Sequence, residues 1–258
     1  MNNQGIKKAI ESHHWDYPIK MIPKDLEYVN NEDIIMIKNR NVPNIQANKI
    51  VHFSKYASLD SVLSFFQDVP FSWWAPLGQQ NLIERLKKNE FSLIDTYIGL
   101  AFHLQQFAVP KLLQNFSFYD VKTEKEIEHL VNVSSTIWGY AATSKPTIIQ
   151  QRKMYLEQAG DQGGFIICCD GDIAVGYANY RYSQDRKILY LNGSGVLPTY
   201  RKQGIYTQLV YKRLQLAKKR GTSLATCQAR TGHSAPILKK LGFTEYETYL
   251  QFAKNINS

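Results

Sequence analysis

Apolar residues along this chain recur with two different spacings, and the places where one spacing gives way to the other mark out a series of short elements. In the second half, Ser117 to Val121 alternates as a strand, and Thr123 to Trp138 has helical spacing behind a capping-box-like Thr123-Glu124-Lys125-Glu126. Thr147 to Gln158 reads as a second helix. Gly164 to Cys169 and Ile173 to Tyr182 form strands around Asp170-Gly171, a dipeptide that tolerates the positive φ of a tight hairpin turn. The next strand carries Ile188, Leu189, Tyr190, Leu191, Val196 and Leu197, and Gly193 and Gly195 within it mark a bulge or a close approach to the backbone. Pro198 ends it. Ile205, Leu209, Val210, Leu214 and Ala217 then recur at helical spacing, closed by Lys218, Lys219 and Arg220 where cations suit the helix dipole, with Gly221 as cap. Leu224 to Ala229 is a strand, and Ser234 caps a last helix with Pro236 in its first turn and Gly242 past its end.

The first 110 residues are punctuated more weakly. Asp33 to Lys38, Asn48 to Phe53 and Pro70 to Ala75 read as strands, Ser58 to Asp68 as a helix behind a serine cap, and Gln79 to Asn89 as an amphipathic helix carrying Leu82, Ile83 and Leu86. That helix leads into Phe91 to Phe102. The stretch FSLIDTYIGLA, Phe91 to Ala101, aligns without a gap on FTEYETYLQFA, Phe243 to Ala253, and each copy follows a short helix. Two unrelated alternating strands can match this well; the other reading is a duplication whose first copy has decayed.

Between the strand at Ile188 and its following helix lies a turn with its own chemistry, Arg201-Lys202-Gln203-Gly204. N–H groups of such a turn, and the unpaired first N–H groups of the helix, converge where the helix dipole favours negative charge. A side chain at position 204 would hold a phosphate off the backbone, and Arg201 and Lys202 surround the point with positive charge. No Gly-Lys-Ser/Thr ending follows, so the lysine and hydroxyl of a P-loop are missing, and a diphosphate without catalytic metal fits better.

Val196-Leu197-Pro198-Thr199-Tyr200-Arg201-Lys202-Gln203-Gly204 resembles the acetyl-CoA signature of the GCN5-related N-acetyltransferases (GNAT), in register between a strand and a helix. Tyr206 departs from it, standing where the family usually has Gly or Ala. The order of elements from Phe116 onward also resembles this family's. The resemblance implies a mixed α/β sheet with the GNAT fold at 114–258, and a smaller, degenerate GNAT-like domain at 1–113 that lacks a basic Gly turn and hence a cofactor site. It implies acetyl-CoA as co-substrate, held by Val196, Leu197, Arg201, Lys202, Gln203, Gly204, Ile205 and Tyr206, with His233 in the family's Asn position near the cofactor arm or simply a polar loop residue. Tyr190 stands where histone-type members carry a glutamate base. Tyr190, Asn192 and Ser194 share a face by alternation and are candidates to hold a proton-carrying water, Tyr190 being equally readable as a core aromatic. Leu238 stands where many members carry the tyrosine that protonates the departing thiolate, so the resemblance implies an enzyme without that acid. The implied reaction is direct attack of a primary amine, on a small molecule or peptide, in a ternary complex. A non-catalytic acetyl-CoA-binding module is the alternative.

Composition narrows the remaining classes. At 258 residues, with 44% hydrophobic and 21% charged, the chain has room for two domains with cores. It lacks an apolar run long enough to span a membrane and an N-terminal signal-peptide region, which points to the cytoplasm. Cys168, Cys169 and Cys227 lie in apolar strand-like runs without metal-ligand spacing and read as reduced core residues; no metal is expected. Trp73, Trp74, Trp138 and Tyr140 suggest either an aromatic-lined cleft or ordinary core. A net charge of +9 is spread along the chain rather than gathered in a stripe, so solvated faces fit better than a nucleic-acid groove. Binding to duplex DNA or RNA is therefore expected to be weak and to vanish at about 150 mM salt, which a filter or anisotropy titration across salt concentrations checks.

Overall fold

The computed structural model describes residues 1–22, 24–110 and 115–254. The boundary expected at 113/114 lies outside the described residues. In chain order the elements are α1 (Asn3–Glu11), β1 (Glu27–Asn30), β2 (Ile34–Lys38), β3 (Lys49–Phe53), α2 (Leu59–Phe65), β4 (Phe71–Pro76), α3 (Gln80–Lys88), β5 (Ser92–His103), β6 (Ser117–Asp120), α4 (Glu124–Trp138), α5 (Lys145–Ala159), β7 (Gly163–Asp170), β8 (Ile173–Tyr182), β9 (Ile188–Val196), α6 (Ile205–Lys219), β10 (Leu224–Arg230), α7 (Ser234–Lys240) and β11 (Thr244–Lys254). Helix α1 and strand β1 have no counterpart among the expected elements. Helix α1 buries Ile6, Ala9 and Ile10 on one face of an otherwise polar nine-residue segment, and β1 alternates half-buried with exposed residues.

Backbone contacts divide the chain into two compact units. One comprises residues 1–15, 22–100 and 228–258, the other 16–21 and 101–227. The first is not contiguous because β11 pairs with β4 over six residue pairs, from Tyr249↔Pro76 to Lys254↔Phe71. Its strands follow the order β1-β2-β3-β4-β11-β5. Ile50, Val62, Phe66, Phe71, Trp73, Leu86, Phe91 and Phe252 form its core, with Trp73 edge-on to Phe53 and Phe91. Trp73 and Trp74 are thus core residues, not cleft residues.

The second unit runs β10-β9-β8-β7-β6. The capping box at Thr123 forms with both of its hydrogen bonds, and Gly171 takes the expected positive φ of 56° in the β7–β8 hairpin. Helix α4 lays Ile127, Leu130 and Val131 on Phe165, Ile167 and Tyr177. Cys168 and Cys227 are free, and burial pushes both thiols up to about 12.

The two halves of the sequence repeat further than FSLIDTYIGLA alone. Strand β4, helix α3 and strand β5 match β10, α7 and β11 at one constant spacing, which sets Leu86 against Leu238, Lys87-Lys88 against Lys239-Lys240, Phe91 against Phe243 and Tyr97 against Tyr249. Upstream, α2 links β3 to β4 in parallel as α6 links β9 to β10. A shared order of elements at a shared spacing is what a duplication leaves.

Within the first unit, Tyr249 donates its hydroxyl to Glu11 at 3.2 Å, with Glu247 and Lys7 close by. Burial, the largest effect, raises the Glu11 carboxyl to about 7. Its folded value lies above its unfolded value, so its contribution to stability is present below about pH 4.5 and is lost as pH rises through 7. Urea midpoints should fall between pH 5 and pH 8, and Glu11→Gln should flatten that slope.

Candidate functional site

Strand β9 pairs with β10 in parallel over three positions, ending at Thr226↔Tyr190, although β9 continues to Val196. Beyond Tyr190 its backbone on that side is joined to β10 by no further pair among the described residues. On its other side, the antiparallel register with β8 slips between Tyr180↔Leu191 and Ala178↔Ser194, so Asn192 and Gly193 together oppose Asn179. This is a β-bulge, one of the two meanings allowed for Gly193. Gly195 has the other meaning, since a Cβ there would lie 2.9 Å from Cγ2 of Ile137 on α4.

The bulge corrects one expectation. An extra residue reverses the side-chain alternation, so Ser194 falls on the face of Leu191 and not on that of Tyr190. Arg213 of α6 meets the consequences for the backbone. Its Nη1 donates to the carbonyls of Asn179 at 3.0 Å and Asn192 at 3.4 Å, and its Nε to that of Leu209 at 3.1 Å. Arg213 sits inside the apolar stripe of its helix, the signal that marks it in the sequence.

After Leu197, one turn of 3-10 helix at Pro198–Tyr200 leads to Arg201, whose Nε donates back to the Val196 carbonyl at 3.3 Å. Lys202 has φ 65° and Gly204 φ 80°. A left-handed lysine is uncommon and costs about 1 kcal/mol or more, so the turn is held by its surroundings. Residues 201–204 are exposed, while Ile205 is buried against Gly176 of β8 and pins the start of α6. Gly204 caps that helix with no side-chain hydrogen bond, and the first helical bond runs from the Gln208 N–H to the Gly204 carbonyl. The N–H groups before Gln208 therefore have no acceptor within the helix and present a positive dipole end beside Arg201 and Lys202. Helix α2 differs here, because the Ser58 side chain accepts from the Ser61 N–H and occupies the corresponding position.

The remaining expected residues are dispersed. Asn192 lies in the bulge and is half-buried; Tyr206 is half-buried on the first turn of α6. His233 is exposed and belongs to the other compact unit, where it, and not Ser234, is the N-cap of α7; Leu238 is buried within that helix. Trp138 and Tyr140 are 47% and 46% exposed at the end of α4, and Trp138 donates to the Tyr177 hydroxyl. Tyr190 is 0% exposed. Its hydroxyl donates to Asp16 Oδ2 at 2.8 Å, and the Arg181 guanidinium lies between the rings of Tyr17 at 3.8 Å and Tyr190 at 4.6 Å. Asp16 also accepts from the Gln184 N–H at 3.2 Å, and its carbonyl accepts from Arg181. Nothing near Asp16 in the sequence announces a partner more than 170 residues away. Among the described residues, no cluster of His, Cys, Asp and Glu could hold a metal, and no helix is long and apolar enough to cross a membrane.

A strand that parts from its neighbour, a bulge, and a helix start without a side-chain cap behind a basic turn lie together in this unit. Residues 128–243 match the model of the acetyltransferase (GNAT) family. Solved structures cover nearly the whole chain at low identity. A GCN5-related N-acetyltransferase from Kribbella flavida is 16% identical with a TM-score of 0.68, covering 90% of each chain. One from Sphaerobacter thermophilus is 12% identical with a TM-score of 0.66, covering 88% of this chain and 82% of the other. A tandem GNAT protein from the clavulanic acid biosynthesis pathway is 9% identical with a TM-score of 0.64, covering 99% and 94%. These likenesses show the fold, a mixed α/β GNAT architecture that accommodates two domains. No curated protein matches the sequence at a significant level.

The contact between Gly195 and Ile137 is tight enough to test. Gly195→Val should cost about 1–3 kcal/mol by overpacking, and Ile137→Ala in the same chain should return part of it; urea unfolding of the single and double variants checks this.

Proposed function

We propose that this chain is an N-acetyltransferase that moves the acetyl group of acetyl-CoA to a primary amine of a small molecule or peptide, by direct attack in a ternary complex. The observation that carries the reading is the open N-terminus of α6 behind Gly204, flanked by exposed Arg201 and Lys202. A pyrophosphate fits those donors without a metal ion. Residues 201–206 would hold it, and the backbone of Val196 and Leu197 would take the pantetheine arm, with His233 a further candidate from sequence. The co-substrate supplies an acetyl group activated as a thioester. Backbone N–H groups of β9 beyond Tyr190 suit the oxyanion that forms when the amine adds.

In this reading residues 114–258 are the catalytic domain and 1–113 a derived copy without a cofactor site. The Ser58 cap supports that division of labour, because its side chain occupies one of the N–H donors in α2 that in α6 no capping side chain takes. Reduced, buried cysteines agree with a cytoplasmic setting.

One observation favours a non-catalytic acetyl-CoA-binding module: Tyr190, at the position of the family's base, is buried, and Leu238 cannot give a proton. Loss of one positioned acid or base typically slows a reaction about 10²–10⁴-fold without silencing it, so transfer remains the stronger reading.

The test is to incubate the protein with acetyl-CoA and a panel of amines, amino acids, polyamines and peptides while following free thiol. Transfer to at least one primary amine is expected; tight acetyl-CoA binding with no transfer would establish the module instead. Gly204→Asp should weaken acetyl-CoA binding at least about 100-fold by setting a carboxylate against phosphate, with the melting temperature little changed because Asp tolerates a positive φ.

A further inference from the structure

The transferase reading leaves the amine's proton without a destination, since none of Tyr190, Asn192 and Ser194 on β9 is a base of the needed strength. The fold brings one from elsewhere. Asp16 reaches β9 from the N-terminal segment and is fixed at each carboxylate oxygen, Oδ2 by the Tyr190 hydroxyl and Oδ1 by the Gln184 N–H. The Arg181 guanidinium secures its carbonyl while lying between Tyr17 and Tyr190. Three independent anchors on one aspartate are more than a surface residue needs. Asp16 is half-buried whereas Tyr190 and Arg181 are fully buried, so Asp16 is the most accessible member of this group. Its position along the sheet matters equally. Tyr190 is the last residue of β9 paired with β10, so Asp16 stands at the point where the strand leaves its neighbour.

We propose that Asp16 is the catalytic carboxylate of this enzyme, receiving the acceptor amine and taking its proton, with Tyr190 as the positioning residue that holds it at the fork. The inference rests on the transferase reading. A primary amine arrives as its ammonium form, and the Asp16 carboxylate binds it by a charge-assisted hydrogen bond. One proton passes to water. The neutral nitrogen's lone pair then forms the C–N bond to the thioester carbonyl carbon, the nitrogen becomes cationic, and its now acidic N–H proton passes to Asp16. Collapse of the adduct breaks the C–S bond, the sulfur leaves with the electron pair and is protonated by solvent, and Asp16 returns its proton to water. The charged and titratable neighbours of Asp16 here are Arg181, Tyr17 and Tyr190.

Asp16→Asn keeps the shape, its one carbonyl oxygen able to accept from the Gln184 N–H while its amide donates to the Tyr190 hydroxyl oxygen, so the fold is retained while the base is lost. Using the amine that the panel selects, kcat should fall about 10²-fold or more, and calorimetric affinity of the CoA-bound protein for that amine should fall about tenfold or more, with acetyl-CoA affinity unchanged. Asp16→Glu should recover part of the rate. Tyr190→Phe should lower kcat by a smaller factor and have no further effect in the Asp16→Asn background, because it acts only through the carboxylate. A wild type that turns over while Asp16→Asn matches it in kcat and amine affinity overturns the assignment and leaves the transferase reading standing. A wild type that binds acetyl-CoA but acetylates no amine overturns both.

Discussion

A strand that leaves its neighbour must find other partners for its backbone, and the second unit is arranged around that requirement. On one side β9 drops its pairing with β10 after Tyr190; on the other it bulges at Asn192-Gly193. Carbonyls displaced from a ladder and buried would cost about 1–3 kcal/mol each if left without donors. Arg213 answers this from inside the apolar stripe of α6, taking the carbonyls of Asn179 and Asn192 with one nitrogen. Desolvation at that depth lowers the pKa of the guanidinium, yet an arginine stays charged and keeps its donors. The same side chain ties the helix to the strand that precedes it, and so fixes the basic turn between them.

Several features of this arrangement were legible in the residues because they obey local rules. Gly193 and Gly195 could be read as marking a bulge or a close approach, and Gly204 as a position that admits no side chain, since each depends only on what a Cβ would do there. The capping box at Thr123 and the hairpin at Asp170-Gly171 are equally local. What alternation could not foresee was its own interruption: the bulge turned Ser194 away from the face of Tyr190. Tyr190 itself allowed two readings, and its burial came from residues 16 and 17, whose relation to it is purely tertiary. Trp73 and Trp74 went to a core and Trp138 and Tyr140 to the surface, a distinction that aromatic content alone does not make.

The same element order can start its crossover helix in two ways. Helices α2 and α6 occupy the same place in the order of elements, each crossing from one strand to a parallel neighbour. One starts with a serine whose side chain accepts from its helix's backbone, the other with a glycine that has no side chain to do so. Stability favours the first arrangement by only about a few tenths of a kcal/mol, and an anion site requires the second.

Strand β11 has a consequence for the order in which the molecule can be made. It lies between β4 and β5 and supplies Phe252 to the core of the first unit, yet it emerges from the ribosome after every other strand. Until then β4, with its two tryptophans, has an open edge, and open apolar edges are where nascent chains mispair. The half of the protein that is synthesised first is thus completed last. A chain cut short before β11 would leave the core built by β3, β4 and α3 unfinished.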